Sequence, residues 1–139
     1  ESKLSSFLRF SYYLTDYILG QFYIYFRYTR YGYVIVYDRF YFDYIIDAKR
    51  ANLVISPRVA RFFLRFIKEP DLNIFLYAPV EIIEQRKQEL DAVTIQLLTE
   101  GYLNLFDDLE RLSKKKYLCI ENIDLSDTIF RIDEYLSEN

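Results

Sequence analysis

An α/β fold, with helices covering both faces of a parallel sheet in three layers, is what this sequence predicts, and three observations predict it. Three short, β-rich apolar runs, at 33–37, Leu72–Tyr77 and 117–120, are spread along the chain. All three are near-continuous in apolar character, as parallel strands buried on both faces are. Helical periodicity fills the stretches between them, and strands separated by helices argue for parallel pairing in a layered fold.

The elements follow in order. Leu4, Phe7, Leu8, Ser11, Leu14, Ile18 and Phe22 recur at three- and four-residue steps, which predicts one long helix over 2–31. Gly32 stands just past its end, where a left-handed cap is common. Gly20 within it costs helix stability and predicts a close approach of another backbone or a ligand. The run YVIVY at 33–37 is the expected first strand, ending in Asp38-Arg39. Residues 39–52 read as a loop opening into a helix. Pro57 starts a second helix over 58–68, with Ser56 as its N-cap. Glu69-Pro70-Asp71 turns the chain into the second strand, LNIFLY, which Ala78-Pro79 closes. A helix over 80–88 follows, and Asp91 opens a longer one to about Leu112. Residues 113–116 break that helix, 117–120 form the third strand, and a last helix spans 125–136. Three strands make a thin sheet for so many helices, so an upstream strand or two is expected in addition.

At 139 residues the chain predicts one domain over its whole length, able to bury about two-thirds of its unfolded surface. Half the residues are hydrophobic and the net charge is −3, which gives no electrostatic reason to expect a nucleic-acid polymer. Locally the sign differs, because Arg27, Arg30, Arg39, Lys49 and Arg50 cluster around the first strand. Cys119 stands alone in an apolar run, which excludes a disulfide within the chain and reads as a buried thiol in a reducing cytoplasm. The chain has no histidine, so Ser-His-Asp and Cys-His catalysis are excluded, and any metal must be a hard cation held by oxygens. The charge-free aromatic stretch 17–26 is about half the roughly 20 residues that cross a bilayer, so no membrane span is expected. The chain begins at Glu1 and contains no Met, which predicts a processed product or a piece of a longer protein.

The residues that could carry chemistry start at the end of the first strand. In open α/β sheets, ligands bind at the carboxyl ends of parallel strands. There Asp38 could bind Mg²⁺ and Arg39 could clamp a phosphate bidentately. The plain alternative is an Asp capping the next turn and an Arg paired to a nearby acid. Asp43 and Asp47, four apart, would share one face of the following helix, with Lys49 and Arg50 just beyond. They could bind a polar acceptor substrate or form a solvated face. Arg86-Lys87 follows the second strand, a turn and a turn and a half of helix. A mobile basic segment there could stabilise a transferring phosphate, or it is the exposed side of an amphipathic helix. Lys114, Lys115 and Lys116 read as a solvated helix end.

Taken together, YDRFYFDYIID, PDLNIFLYAPVEII and EQRKQEL resemble, in this order, the C-terminal two-thirds of the thymidylate kinase-like family of P-loop kinases. The resemblance runs from about Tyr12 to Leu136. It implies a P-loop kinase-like sheet, ATP and Mg²⁺ as cofactors, and transfer of the γ-phosphate to a small acceptor, a nucleoside monophosphate. By it, Asp38 matches the acid near the Mg²⁺–phosphate cluster and Arg39 the arginine between donor and acceptor. Arg86 and Lys87 match the lid region, and Arg27 and Arg30 lie where the acceptor-site helix ends. With the aromatic surface it also implies a homodimer.

Two departures stand out. Asp43 and Ile46-Asp47-Ala48 occupy positions where thymidylate kinases shape the thymine pocket, which favours another acceptor. The glycine-rich phosphate loop, carried in the family on a first strand beside the Asp-Arg strand, is absent from the 139 residues. On their own these residues are expected to lack kinase activity. A rival reading is a non-catalytic α/β module keeping the kinase scaffold for binding. A flavodoxin-like phosphate-binding domain ranks third, since it leaves Asp38-Arg39 and Arg86-Lys87 without a role.

Overall fold

The computed structural model of the chain describes residues 3–86 and 90–138. The chain falls into two compact units, Glu1–Glu69 and Pro70–Asn139. It is a mixed helix–strand chain with a small sheet of two parallel strands among the described residues.

The first unit is built on α1 (Lys3–Arg27), followed by a 3-10 turn at Thr29–Tyr31. The α-helix ends at Arg27, short of the expected 31, and Gly32 caps the 3-10 turn instead: it takes the left-handed conformation, φ 84°, and its N–H donates to the Thr29 carbonyl. No other backbone approaches Gly20 closely: a Cβ there would meet nothing within 4 Å.

The expected strand at 33–37 is not formed. Val34 and Val36 are 89% and 87% exposed, and no strand among the described residues pairs with this segment. The preference of Val, Ile and Tyr for a pleated surface is real, but a strand exists only where a neighbour takes its N–H and C=O groups.

Two short elements follow, α2 (Asp43–Ile46) and a 3-10 turn at Ala48–Ala51, and then α3 (Pro57–Leu64). Ser56 caps α3 as predicted, its Oγ accepting from the Arg58 N–H at 3.3 Å. Phe10, Tyr41, Phe42, Ile45, Ala60 and Leu64 form the core. Two polar contacts fasten α1 to later segments. Buried Ser6 accepts from the Val54 N–H at 2.5 Å, and the Gln21 amide both donates to the Lys68 carbonyl and accepts its N–H.

The second unit holds β1 (Leu72–Tyr77), α4 (Val80–Arg86), α5 (Ala92–Leu112), β2 (Lys116–Glu121) and α6 (Leu125–Glu138). The strands run parallel in register Leu72↔Lys116 to Tyr77↔Glu121. The predicted end of α4 lies outside the described residues. Asp91 caps α5, accepting from the Thr94 N–H at 2.9 Å and holding its hydroxyl as well, which lowers the carboxyl pKa. Phe75 stacks on Tyr102 at 4.6 Å, and Phe106 meets Tyr117 edge-on at 5.2 Å, so α5 covers the sheet with aromatic rings.

Two expectations here are corrected. Cys119 is exposed rather than buried, although it shares a strand face with buried Tyr117. The lysine run is not a solvated helix end either: Lys115 reaches back to Asp71 and Lys116 opens β2. Among the described residues, no helix is long and apolar enough to cross a membrane.

Candidate functional site

Within the first unit, Asp38 and Arg39 sit in a bend rather than at the end of a paired strand, and both are exposed. The Arg39 guanidinium donates to the Asp43 carboxylate at 3.2 Å, one helical turn on. Of the two readings of Arg39, the ion pair with a nearby acid is therefore formed. The pair is open enough to water that its net contribution is small.

Asp47 does not share a helix face with Asp43. It follows α2 with φ −125° and ψ 52°, and its N–H donates to the Asp43 carbonyl at 2.8 Å. The helix stops there because a 3-10 turn begins at Ala48, and this turn ends on Asn52 in the left-handed region. Lys49 and Arg50 lie in that turn and are exposed.

Arg27 ends α1, where a cation suits the helix dipole. Its guanidinium lies 5.5 Å from the centre of the Tyr28 ring, and that of Arg30 lies 5.2 Å from the centre of Tyr31. Arg27, Tyr31, Gly32 and Tyr33 line an open hollow of about 390 Å³. Such a lining offers a cation for a phosphate and ring faces for a flat base. Tyr31, Gly32 and Tyr33 were missed as candidates, although the RYGY run beside two arginines was a legible signal.

The first unit also holds a tyrosine cluster that sequence reasoning missed. Tyr17 meets Tyr41 and Tyr44 edge-on at 5.7 and 5.9 Å, and Tyr13 stacks on Tyr44 at 5.8 Å. The Tyr41 hydroxyl donates to the Ala60 carbonyl at 3.0 Å. Burial, and then the neighbouring Tyr44 and Asp43, push the Tyr17 phenol up to about 12. Burial also raises Tyr41, followed by Tyr44 and Tyr17. The spacing of four between Tyr13 and Tyr17 on α1, and of three between Tyr41 and Tyr44 at the start of α2, could have flagged the cluster.

Within the second unit, Arg86 closes α4 and donates to two backbone carbonyls just past β2, Asn122 at 3.3 Å and Ile123 at 2.9 Å. The same turn is held by the Asn122 N–H, which donates to Tyr77 at 2.6 Å, and by buried Thr128, which donates to Asn122 Oδ1 at 3.0 Å. Arg86 is thus engaged with main chain. Lys87 lies outside the described residues.

No group of three His, Cys, Asp or Glu side chains able to hold a metal forms among the described residues.

No protein-family model matches the chain, and no solved structure matches it. Two curated proteins do: the cytidylate kinases of Thermococcus sibiricus and Pyrococcus furiosus, each 30% identical over 80 residues. Those residues are 58% of this chain and 38% of each relative. The likeness supports a relationship to nucleotide kinases and does not single out the thymidylate kinases.

Proposed function

We propose that this chain forms part of a nucleotide kinase-like phosphotransferase that moves the ATP γ-phosphate to a nucleoside monophosphate. The observation that carries this reading is the match to two cytidylate kinases. It makes cytidylate the first acceptor to test and thymidylate the second.

In the transfer, an acceptor phosphate oxygen bonds to the γ-phosphorus while the bond to the β–γ bridging oxygen breaks. ADP leaves with that electron pair. Arg39, once turned from Asp43, supplies positive charge to the transferring group, where developing charge is stabilised most. Arg27 and Arg30, beside their tyrosines, suit the acceptor phosphate and base. Asp38, with Asp43 and Asp47 nearby in sequence, is the carboxylate available to Mg²⁺. The metal, when bound, neutralises phosphate charge. Arg50, Arg86 and Lys87 remain further candidates for phosphate or acceptor contacts.

A second reading, a kinase-like module that binds without catalysis, is favoured by one specific observation: Arg86 already gives two of its donors to backbone carbonyls.

The test is phosphoryl transfer by the protein as its gene encodes it, with cytidylate, thymidylate and other monophosphates as acceptors. Arg39→Ala is expected to lower kcat by about 100-fold or more with fold and stability kept. Unchanged transfer in that variant would defeat the assignment of Arg39. Nucleotide binding without turnover would favour the binding module.

A further inference from the structure

The negative charge of the chain is unevenly placed. Pro70–Asn139 carries fifteen acids against seven Lys and Arg, whereas Glu1–Glu69 carries eleven Lys and Arg against six acids. Within the first unit the surplus is concentrated, because residues 48–68 hold six cations and no acid. This acid-free stretch lies along α1. At one end the Val54 N–H donates to Ser6 and the Arg9 guanidinium to the Asn52 carbonyl at 2.7 Å, and at the other the Gln21 amide holds Lys68.

The helix α3 and the turn after it sort their side chains into three rows. Ala60, Leu64 and Ile67 are buried. Val59, Phe62 and Phe66, at steps of three and four, are 41%, 48% and 55% exposed. Arg58, Arg65 and Lys68 run beside them and are exposed too. None of these three cations forms an ion pair among the described residues. The Arg65 guanidinium lies 4.0 Å from the centre of the Phe62 ring, and the Lys68 ammonium 5.6 Å from that of Tyr25, itself exposed on α1.

We propose that this face docks the protein on an anionic membrane surface, with Phe62 and Phe66 in the headgroup layer and Arg58, Arg65 and Lys68 on lipid phosphates. Charge complementarity makes the partner anionic, and two observations make it a bilayer. First, a protein segment laid over the apolar row would strip water from the adjoining cations, which is costly unless each meets an acid. A headgroup layer takes in the rings and leaves the cations hydrated among phosphates at the same depth. Second, the rings are no platform for bases. One face of Phe62 is covered by Arg65, and Phe62 meets Phe66 edge-on at 6.2 Å, whereas single-stranded nucleic acid stacks on bare ring faces. The contact is peripheral, since α3 is eight residues long, far short of a span.

The experiment is sedimentation of the protein, as its gene encodes it, with vesicles of phosphatidylcholine alone or mixed with phosphatidylserine. Binding is expected only to the mixed vesicles, and it should weaken as salt rises. Arg58→Gln and Arg65→Gln should each weaken it about fivefold, with helical circular dichroism kept. The emission of Phe66→Trp, compared with that of the parent protein, should gain a component that shifts to the blue on mixed vesicles and is quenched by brominated lipid. Failure to bind mixed vesicles would overturn the proposal, whether the face is then covered by other parts of the chain or takes an oligonucleotide added in their place. Equal binding to neutral vesicles, binding unmoved by both arginine variants, or a Phe66→Trp signal blind to lipid would overturn it as well.

Discussion

Arg39 and Asp43 face each other across one turn, guanidinium to carboxylate at 3.2 Å. The arginine that the resemblance assigns to phosphates is held by an acid four residues on. Neither side chain is deeply buried, so the pair contributes less than about 1 kcal/mol, and a phosphate can compete for the guanidinium. Asp43→Asn should therefore leave stability within about 0.5 kcal/mol and free Arg39 for anions. Calorimetric titration with cytidylate should show about two- to fivefold tighter binding, the equivalent of the lost pair. Weaker binding would mean that Asp43 itself touches the ligand.

The tyrosine cluster makes a pH prediction. Tyr17 ionises near pH 10 when unfolded and only at about 12 when folded, with burial as the main cause. Between those values the unfolded chain releases a proton that the folded chain keeps. Stability from this group is thus complete below pH 10 and falls as pH rises toward 12. Tyr41 and Tyr44 are shifted in the same direction. Urea midpoints measured from pH 9 to 12 should drop through this window. The drop should be shallower in Tyr17→Phe, which keeps the ring and removes the proton. An equal slope in both proteins would show that Tyr17 does not carry the effect.

Elements that need only local information were legible in the sequence. Ser56, Asp91 and Gly32 mark helix ends by their own side chains or backbone freedom, and all three do so in the structure. Leu72–Tyr77 and Lys116–Glu121 are strands because they have each other. YVIVY carries the same signal without a partner, and pairing is a non-local fact that no run of residues can state. The site follows the same division. That Arg39 would pair with an acid four residues on was readable from spacing. That Arg86 would meet the carbonyls of Asn122 and Ile123, 36 and 37 residues away, was not.

The unpaired 33–37 segment carries a prediction of its own. Val34 and Val36 bury almost nothing in the structure, so Val34→Thr with Val36→Thr should change stability by no more than about 0.5 kcal/mol. An exposed β-rich apolar run is also a template for edge-to-edge association. Turbidity on warming should therefore be lower in the double variant. A loss of several kcal/mol in the urea midpoint would instead mean that these valines are buried in solution, as the strand first expected there would require.

Arg86 ties the end of α4 to the turn after β2 through two guanidinium bonds, and a shorter cation cannot copy that fork. Arg86→Ala removes both bonds and leaves the two carbonyls to water. The site is exposed, so the loss should be near 1 kcal/mol rather than the larger value of a buried charge-assisted pair. Arg86→Lys, with one point donor, should fall between the two. Denaturant midpoints of the three proteins, followed by a probe in the second unit, check this order. The same series separates structure from chemistry. If Arg86 only braces the turn, Lys recovers activity in the measure that it recovers stability. If its fork also meets phosphate, Lys recovers stability in part while phosphoryl transfer stays as low as in Arg86→Ala.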